Sequence, residues 1–257
     1  MLMRARLDAA LLTRPPRLLH ALLPGCEWTG PATTPAGQPV VYLTFDDGPV
    51  PDQTPWVLAQ LAEYQAQATF FCVGENLARY PEIARAALAA GHRLGNHTHH
   101  HRSAWATPRA AYLADAAACQ THISELLPAA AGVAFALRSA PLIAGLCELS
   151  RCGLGGRSTA RHDHAPKPLF RPPYGRLTWP LLPALQADFR VVMWSVLTRD
   201  YDPGLRPEDC LRFALEAVRA GDVVVLHDSR KAGPRLRYVL PRLLAHLAAQ
   251  GFAFAAL

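Results

Sequence analysis

The chain has 257 residues, 51% hydrophobic and 18% charged, a composition that excludes a disordered protein and is long enough to bury a sizeable core. Its net charge is +6, but the cations are scattered single arginines with no dense Lys/Arg run, so no nucleic-acid surface is indicated and an anionic envelope polymer fits the balance equally well. The six cysteines (Cys26, Cys72, Cys119, Cys147, Cys152, Cys210) form no C-x-x-C pair and no dense framework, so disulfides are not implied, which favours a reducing compartment.

The first 25 residues, MLMRARLDAALLTRPPRLLHALLPG, carry a positive charge but no unbroken apolar core, because Asp8, Arg14, Pro15, Pro16 and Arg17 interrupt it. The reading is an N-terminal extension over residues 1–39, with a short basic amphipathic helix against the domain or a membrane surface as the alternative. No stretch reaches the roughly 18 apolar residues of a spanning helix. Together these features point to a cytoplasmic or membrane-peripheral chain. A monomer is expected.

VVYLTF, from Val40, reads as a buried strand that ends on Asp46 and Asp47 and turns at Gly48-Pro49. A helix is predicted over 54–67, opened by Thr54 and Pro55, then a strand over 68–73 holding Cys72 as a small hydrophobe. A helix follows over 75–90 and a strand over 93–96. The Ala-rich stretch 108–127 predicts a long helix. Residues 128–168 break the rhythm with Gly, Pro, Ser and Arg clusters. They read as an insertion, with one short helix over 141–149. A strand ends at Phe170, a helix covers 179–187, and FRVVMWSV over 189–196 is a strand. The remainder predicts a helix (207–220), a strand (222–227), a helix (234–250) and a strand (252–257).

Apolar strands alternating with helices indicate a parallel sheet covered by helices. The count suits a (β/α) barrel better than an open sheet, and no strand is followed by G-x-G-x-x-G or a P-loop. In such a barrel chemistry gathers at the C-terminal strand ends. Five ends here carry reactive groups: Asp46 and Asp47; HTHHH from His97 to His101; RPPY from Arg171 to Tyr174; Asp200; and His227 with Asp228. His97 and His101 are four apart and would share one face of a helical turn. With Asp47 they form a two-imidazole, one-carboxylate set of the zinc type, open to cobalt, nickel or manganese as well. Each residue also has a structural reading. Asp200 could cap a helix, Arg171 could be an ion-pair partner, and Tyr174 a turn residue. Asp228 or Ser229 could cap the helix after His227, a role kept here for Asp228. His99 and His100 read as solvated or as support for the ligands; His162 and His164, in RHDHAP, look like a metal tract but read as solvated residues of a polar loop.

These motifs resemble those of the polysaccharide deacetylases, the metal-dependent carbohydrate esterases of family four. TFDDGP is similar to the first motif, HTHHH to the second (H-[ST]-x-x-H), RPPY to the third (R-x-P-Y), and TRDY and VVLH to the fourth and fifth. The likeness covers about 40–257 except the insertion at 128–168, and it implies a catalytic domain with a distorted (β/α) barrel of seven or eight units. It implies Asp46 as general base, Asp47, His97 and His101 as metal ligands, Arg171 as the residue that orients the base, and His227 as general acid tuned by Asp200. Tyr174 would help hold the oxyanion through its backbone N–H, while Tyr201 and Val225 would line an acetyl pocket. Two departures stand out: Leu197 where the fourth motif has its first Asp, and Tyr201 where it has Trp. The implied activity is metal-dependent removal of N-acetyl groups from an N-acetylglucosamine-containing glycan. The alternatives are an O-acetyl esterase or other carbon–nitrogen hydrolase on the same scaffold, or a non-catalytic glycan-binding barrel. Trp56, Trp105 and Trp194 are candidates for sugar-facing surface.

Overall fold

The computed structural model describes residues 13–127 and 166–257. The expected helix over 141–149, Cys147, Cys152, His162 and His164 lie outside the described residues. In chain order the elements are α1 (Arg17–Leu22), β1 (Val40–Asp46), α2 (Thr54–Glu63), β2 (Ala68–Cys72), α3 (Gly74–Arg79), α4 (Pro81–Ala89), β3 (Arg93–Asn96), α5 (Arg109–Leu126), β4 (Leu169–Phe170), a 3₁₀ turn (Pro173–Gly175), α6 (Leu181–Asp188), β5 (Arg190–Val191), β6 (Val196–Leu197), α7 (Pro207–Ala217), β7 (Val223–His227), α8 (Gly233–Ala249) and β8 (Ala253–Phe254).

The strands form one parallel sheet in the order β5-β4-β3-β2-β1-β7-β6, with β8 paired to the start of β1. This curled parallel sheet with helices is the barrel-type α/β fold read from the sequence. β1 lies at its centre, and side-chain alternation along it separates the two faces. Val41, Leu43 and Phe45 point outward and pack with Phe70, Val224, Leu226 and the buried leucines of α8. Val40 and Tyr42 join the interior cluster with Phe71, Val192 and Val223. Thr44 and Asp46 share their parity. Both faces are covered, which is why the run is continuously apolar instead of alternating. Truncating a fully buried leucine of this layer, such as Leu243 or Leu244, to alanine costs about 2–5 kcal/mol.

The predicted helix over 75–90 is two helices. Pro81 disfavours helical backbone at the residue before it, and Tyr80 sits at φ −134°, ψ 53°. The predicted strand over 189–196 is likewise divided into β5 and β6. Between them the carbonyls of Val192 and Met193 turn away from the ladder to accept hydrogen bonds from Arg171. The last strand shrinks to Ala253–Phe254.

Residues N-terminal to Val40 are woven into the sheet. Glu27 bridges Val192 and Thr29 bridges Asp222. Glu27 also accepts two hydrogen bonds from Arg190, at 2.8 and 2.7 Å. Trp28 is buried beside them, and Arg14 reaches Asp222 at 2.9 and 3.1 Å. From these pairings we propose that the folded domain begins near Cys26, with 128–168 an insertion in it. Cys72 is buried, as its apolar context predicts.

Candidate active site and metal centre

Strand register sets the site. Asp46 stands opposite Phe71 of β2 and His227 of β7, and Asn96 stands opposite both Cys72 and Phe170. The residues just past these ends, Asp47, His97 and Arg171, therefore emerge at one level of the sheet.

Asp46 and Asp47 are adjacent yet placed quite differently. Asp46 continues the inward parity of β1, and its Oδ1 accepts a 2.7 Å bond from Arg171. Arg171 is fully buried and also donates to Thr44 Oγ1 (2.7 Å), Met193 O (2.9 Å) and Val192 O (3.3 Å), while its guanidinium lies 4.0 Å from the centre of the Phe71 ring. A buried carboxylate thus has a rigid, permanent counter-charge. Asp47 leaves the strand at φ 82°, and Asn76 donates to its carbonyl at 2.7 Å. The turn is closed from the far end of the chain: Asp228 accepts from Gly48 N (3.0 Å) and Thr54 Oγ1 (2.5 Å). A Cβ on Gly48 would fall 2.1 Å from Asp228 Oδ2, so the approach requires glycine. This corrects the capping role expected for Asp228, since α8 starts at Gly233 without a side-chain cap. Burial pushes the Asp228 carboxyl up to about 7, helped by the charge of Asp47 and opposed by the Thr54 hydroxyl.

His97 and His101 do meet, with ring centres 5.0 Å apart, but not on a helix. The loop between them passes through left-handed backbone at Thr98 (φ 63°) and His101 (φ 54°). Asn96 Oδ1 accepts from Thr98 N at 2.9 Å, and Asp115 accepts from His99 N and His100 N at 3.1 and 3.0 Å. His100 therefore pairs with Asp115 as a support of the loop. His99 packs on His122, ring centres 5.3 Å apart.

One ligand atom from each of Asp47, His97 and His101 falls within 4.8 Å of the others. His101 Nε2 is 3.2 Å and His97 Nε2 3.9 Å from Asp47 Oδ1. His97 Nδ1–H donates to the Arg171 carbonyl at 2.8 Å, which fixes the tautomer and leaves the Nε2 lone pair free for a ligand bond. Burial draws the His97 pKa down to about 4 against the pull of Asp46 and Asp47, so the imidazole is neutral, as a ligand must be. Asp47 is pushed up by burial, but the His101 hydrogen bond and the charge of His227 hold it well below the usual carboxylate range. A neutral imidazole with its donor aimed away, a second imidazole and an ionised carboxylate are the donor set of a three-ligand divalent site.

At the neighbouring strand end, Asp200 is fully buried and accepts from both His227 N and His227 Nδ1, each at 2.8 Å. Burial lowers the His227 pKa, but the Asp200 charge and hydrogen bond, with Asp47 and Asp46 behind them, raise it to about 9. The ring of Tyr201 meets His227 edge-on at 5.0 Å. Tyr174 is exposed, in left-handed backbone at φ 60°, with its ring 4.7 Å from that of His101.

A cleft of about 540 Å³ brings Asp46, Asp47, His97, His101 and His227 together with Tyr174, Tyr201 and Val225. Arg171 and Asp200 stand behind it. Trp194, a candidate for sugar-facing surface, and Leu197, the departure in the fourth motif, also line it; sequence reasoning missed Arg176 and Lys231 in the lining, and Asn76, Asn96, Thr44 and Asp115, which support the ligands and Arg171. Asp115, an acid midway along an Ala-rich helix, gave the one visible signal. Of the three tryptophans considered, Trp56 lies under Arg237 against the outer helices.

The family model for polysaccharide deacetylase matches residues 33–137. A chitooligosaccharide deacetylase of Azorhizobium caulinodans is 31% identical over 235 residues, 84% of this chain and 91% of that protein. The chain belongs to the polysaccharide deacetylase family. A peptidoglycan-N-acetylglucosamine deacetylase of Bacillus cereus is 29% identical over 234 residues, covering 89% of this chain and 92% of that protein. The crystal structure of a peptidoglycan N-acetylglucosamine deacetylase superimposes with a TM-score of 0.69 at 25% identity, over 91% of each chain. By family the protein is a metal-dependent hydrolase, and the Asp47–His97–His101 cluster is its candidate metal centre. No helix among the described residues is long and apolar enough to cross a membrane.

Proposed function

We propose that the protein removes N-acetyl groups from an N-acetylglucosamine-containing glycan, chitin- or peptidoglycan-like, and releases acetate. The observation that carries this reading is that two differently charged pairs, Arg171–Asp46 and Asp200–His227, both present their working group to the cleft that holds the metal ligands. Amide hydrolysis needs such a division: one group to take a proton from water and another to give one to the departing amine.

Asp47, His97 and His101 are proposed to hold one divalent ion, zinc by its fit to these N and O donors, with cobalt, nickel or manganese as substitutes. The bound ion supplies Lewis acidity toward the acetyl carbonyl and toward the attacking water. Asp46 is the general base; Arg171 fixes its position and supplies its counter-charge. His227 is the general acid, kept protonated by Asp200 and carrying the transferable proton on Nε2, since Nδ1 is committed to the carboxylate. The Tyr174 backbone N–H is assigned to the oxyanion. Tyr201 and Val225 form the wall and floor for the acetyl methyl group. A purely glycan-binding barrel would have no need of all four of Asp46, Arg171, Asp200 and His227.

The test is acetate release from chitooligosaccharides and from peptidoglycan by zinc- or cobalt-loaded protein, abolished by a chelator and restored by metal. Metal-loaded protein that releases no acetate from any N-acetylated glycan would sink the proposal, and turnover of O-acetyl esters alone would replace it with the esterase reading.

A further inference from the structure

Several cations among the described residues are matched by carboxylates. Arg14, Arg190, Arg199, Arg206 and Arg212 each have a carboxylate within salt-bridge distance. Two that line the catalytic cleft do not. The side chains of Arg176 and Lys231 make no hydrogen bond or ion pair among the described residues, and each lies over an aromatic ring instead. The Arg176 guanidinium sits 4.9 Å from the Trp105 ring centre and 5.4 Å from that of Tyr174, and Lys231 Nζ is 6.0 Å from the Tyr201 ring. Trp105 is 66% and Tyr174 60% exposed, unusual for rings of that size. Trp105 is nonetheless fixed, because its indole N–H donates to Leu177 O at 2.9 Å.

Fixed, exposed rings beside a cleft offer flat apolar faces to a sugar ring. A guanidinium held between two of them keeps its N–H edges available for a planar oxyanion. The second unmatched cation, Lys231, stands on the Tyr201 side of the same cleft. We infer that Trp105 and Arg176 form a subsite for a sugar next to the one being deacetylated, and that Arg176 with Lys231 selects glycans that carry carboxylates. The inference rests on the deacetylase reading and narrows it from acetylated glycans in general to anionic ones.

Binding to the metal-loaded Asp46→Asn protein tests this without turnover, by titration calorimetry. One arm compares peptide-free peptidoglycan strands, which bear a lactyl carboxylate, with the same strands amidated. A second compares N-acetylglucosamine–glucuronate oligosaccharides with their methyl esters. We expect the carboxylate form to bind about tenfold tighter in at least one arm, and that arm identifies the carboxylate's source. In the Arg176→Gln background the ratio should fall toward one. Trp105→Ala should weaken charged and neutral forms alike. Arg212→Gln, a surface cation already paired with Asp209, should leave the ratio unchanged and so control for bulk charge. Equal affinities in both arms, no binding of either form, or a ratio untouched by Arg176→Gln would overturn the inference. A preserved binding preference in wild-type protein that releases no acetate would overturn the deacetylase proposal alone.

Discussion

The two sides of the cleft solve opposite electrostatic problems. On the base side, a buried carboxylate (Asp46) is held by a cation that does not titrate in the working range, Arg171, itself fastened at four points. On the acid side an imidazole, His227, is held by a buried carboxylate, Asp200, whose oxygens also accept the His227 backbone N–H. The first pair has a permanent cation and works as framework as much as chemistry. The second has a member that titrates near the operating pH. The difference teaches that the base side should respond to mutation through stability and turnover, and the acid side through pH.

The largest effect should come from separating the two adjacent acids. Asp46→Asn is expected to lower turnover by about two to four orders of magnitude while metal content stays near one per chain. Asp47→Asn should lose the metal. Acetate release and metal analysis read both; equal metal retention in the two variants would show that the roles are misassigned.

Next is the framework of the base side. Arg171→Met in metal-free protein leaves Asp46 buried and uncompensated, and should cost about 3–5 kcal/mol in urea unfolding. The double variant Arg171→Met/Asp46→Leu should regain most of that. A double variant as unstable as the single would mean that packing against Phe71, not charge, dominates.

The acid side should reveal itself by pH. With the folded His227 pKa raised to about 9, kcat should fall as pH rises through that value. Asp200→Asn should move this limb toward the ordinary histidine value of about 6.5. The sign for stability is the same. A raised folded pKa gives stability that is fully present below the unfolded value and is lost as pH climbs through 9, up to about 3 kcal/mol. Urea midpoints at pH 6, 8 and 10 measure it, and a flat profile would remove Asp200 from the assigned role.

The smallest effect belongs to Asp228, a fully buried acid with no cationic partner among the described residues. Its carboxyl, pushed up to about 7, keeps its proton in the folded state while the unfolded chain loses one above about pH 4. It therefore costs stability as pH rises from 4 to 7. Asp228→Asn should stabilise the protein more at pH 8 than at pH 5, by about 2–3 kcal/mol. A destabilised Asp228→Asn protein at both pH values would show that the bonds to Gly48 and Thr54 need the charge.

Much of this molecule was legible in the chain. Apolar runs fixed the order of strands and helices, because a parallel sheet buried on both faces demands continuous hydrophobic strands. Asp46, Asp47, His97, His101, Arg171 and His227 stood out because polar groups at the ends of such strands have no reason to be there unless something pairs with them. What the sequence could not supply was who pairs with whom. His97 and His101 meet through two left-handed residues and not a helical turn, and the Asn96 and Asp115 side chains that support this loop are ordinary in sequence. Asp228 reads locally as a cap, yet its partners lie 180 and 174 residues away. The helix over 75–90 split at a visible proline, but the division of 189–196 answered to Arg171, a residue from another strand end. The physical reason is range. Periodicity and turn chemistry are carried by neighbours in the chain, so the sequence by itself determined elements and the kinds of group at their ends. Hydrogen bonds and charge pairs across the sheet depend on register and on which strands lie side by side, and these only the tertiary structure decided.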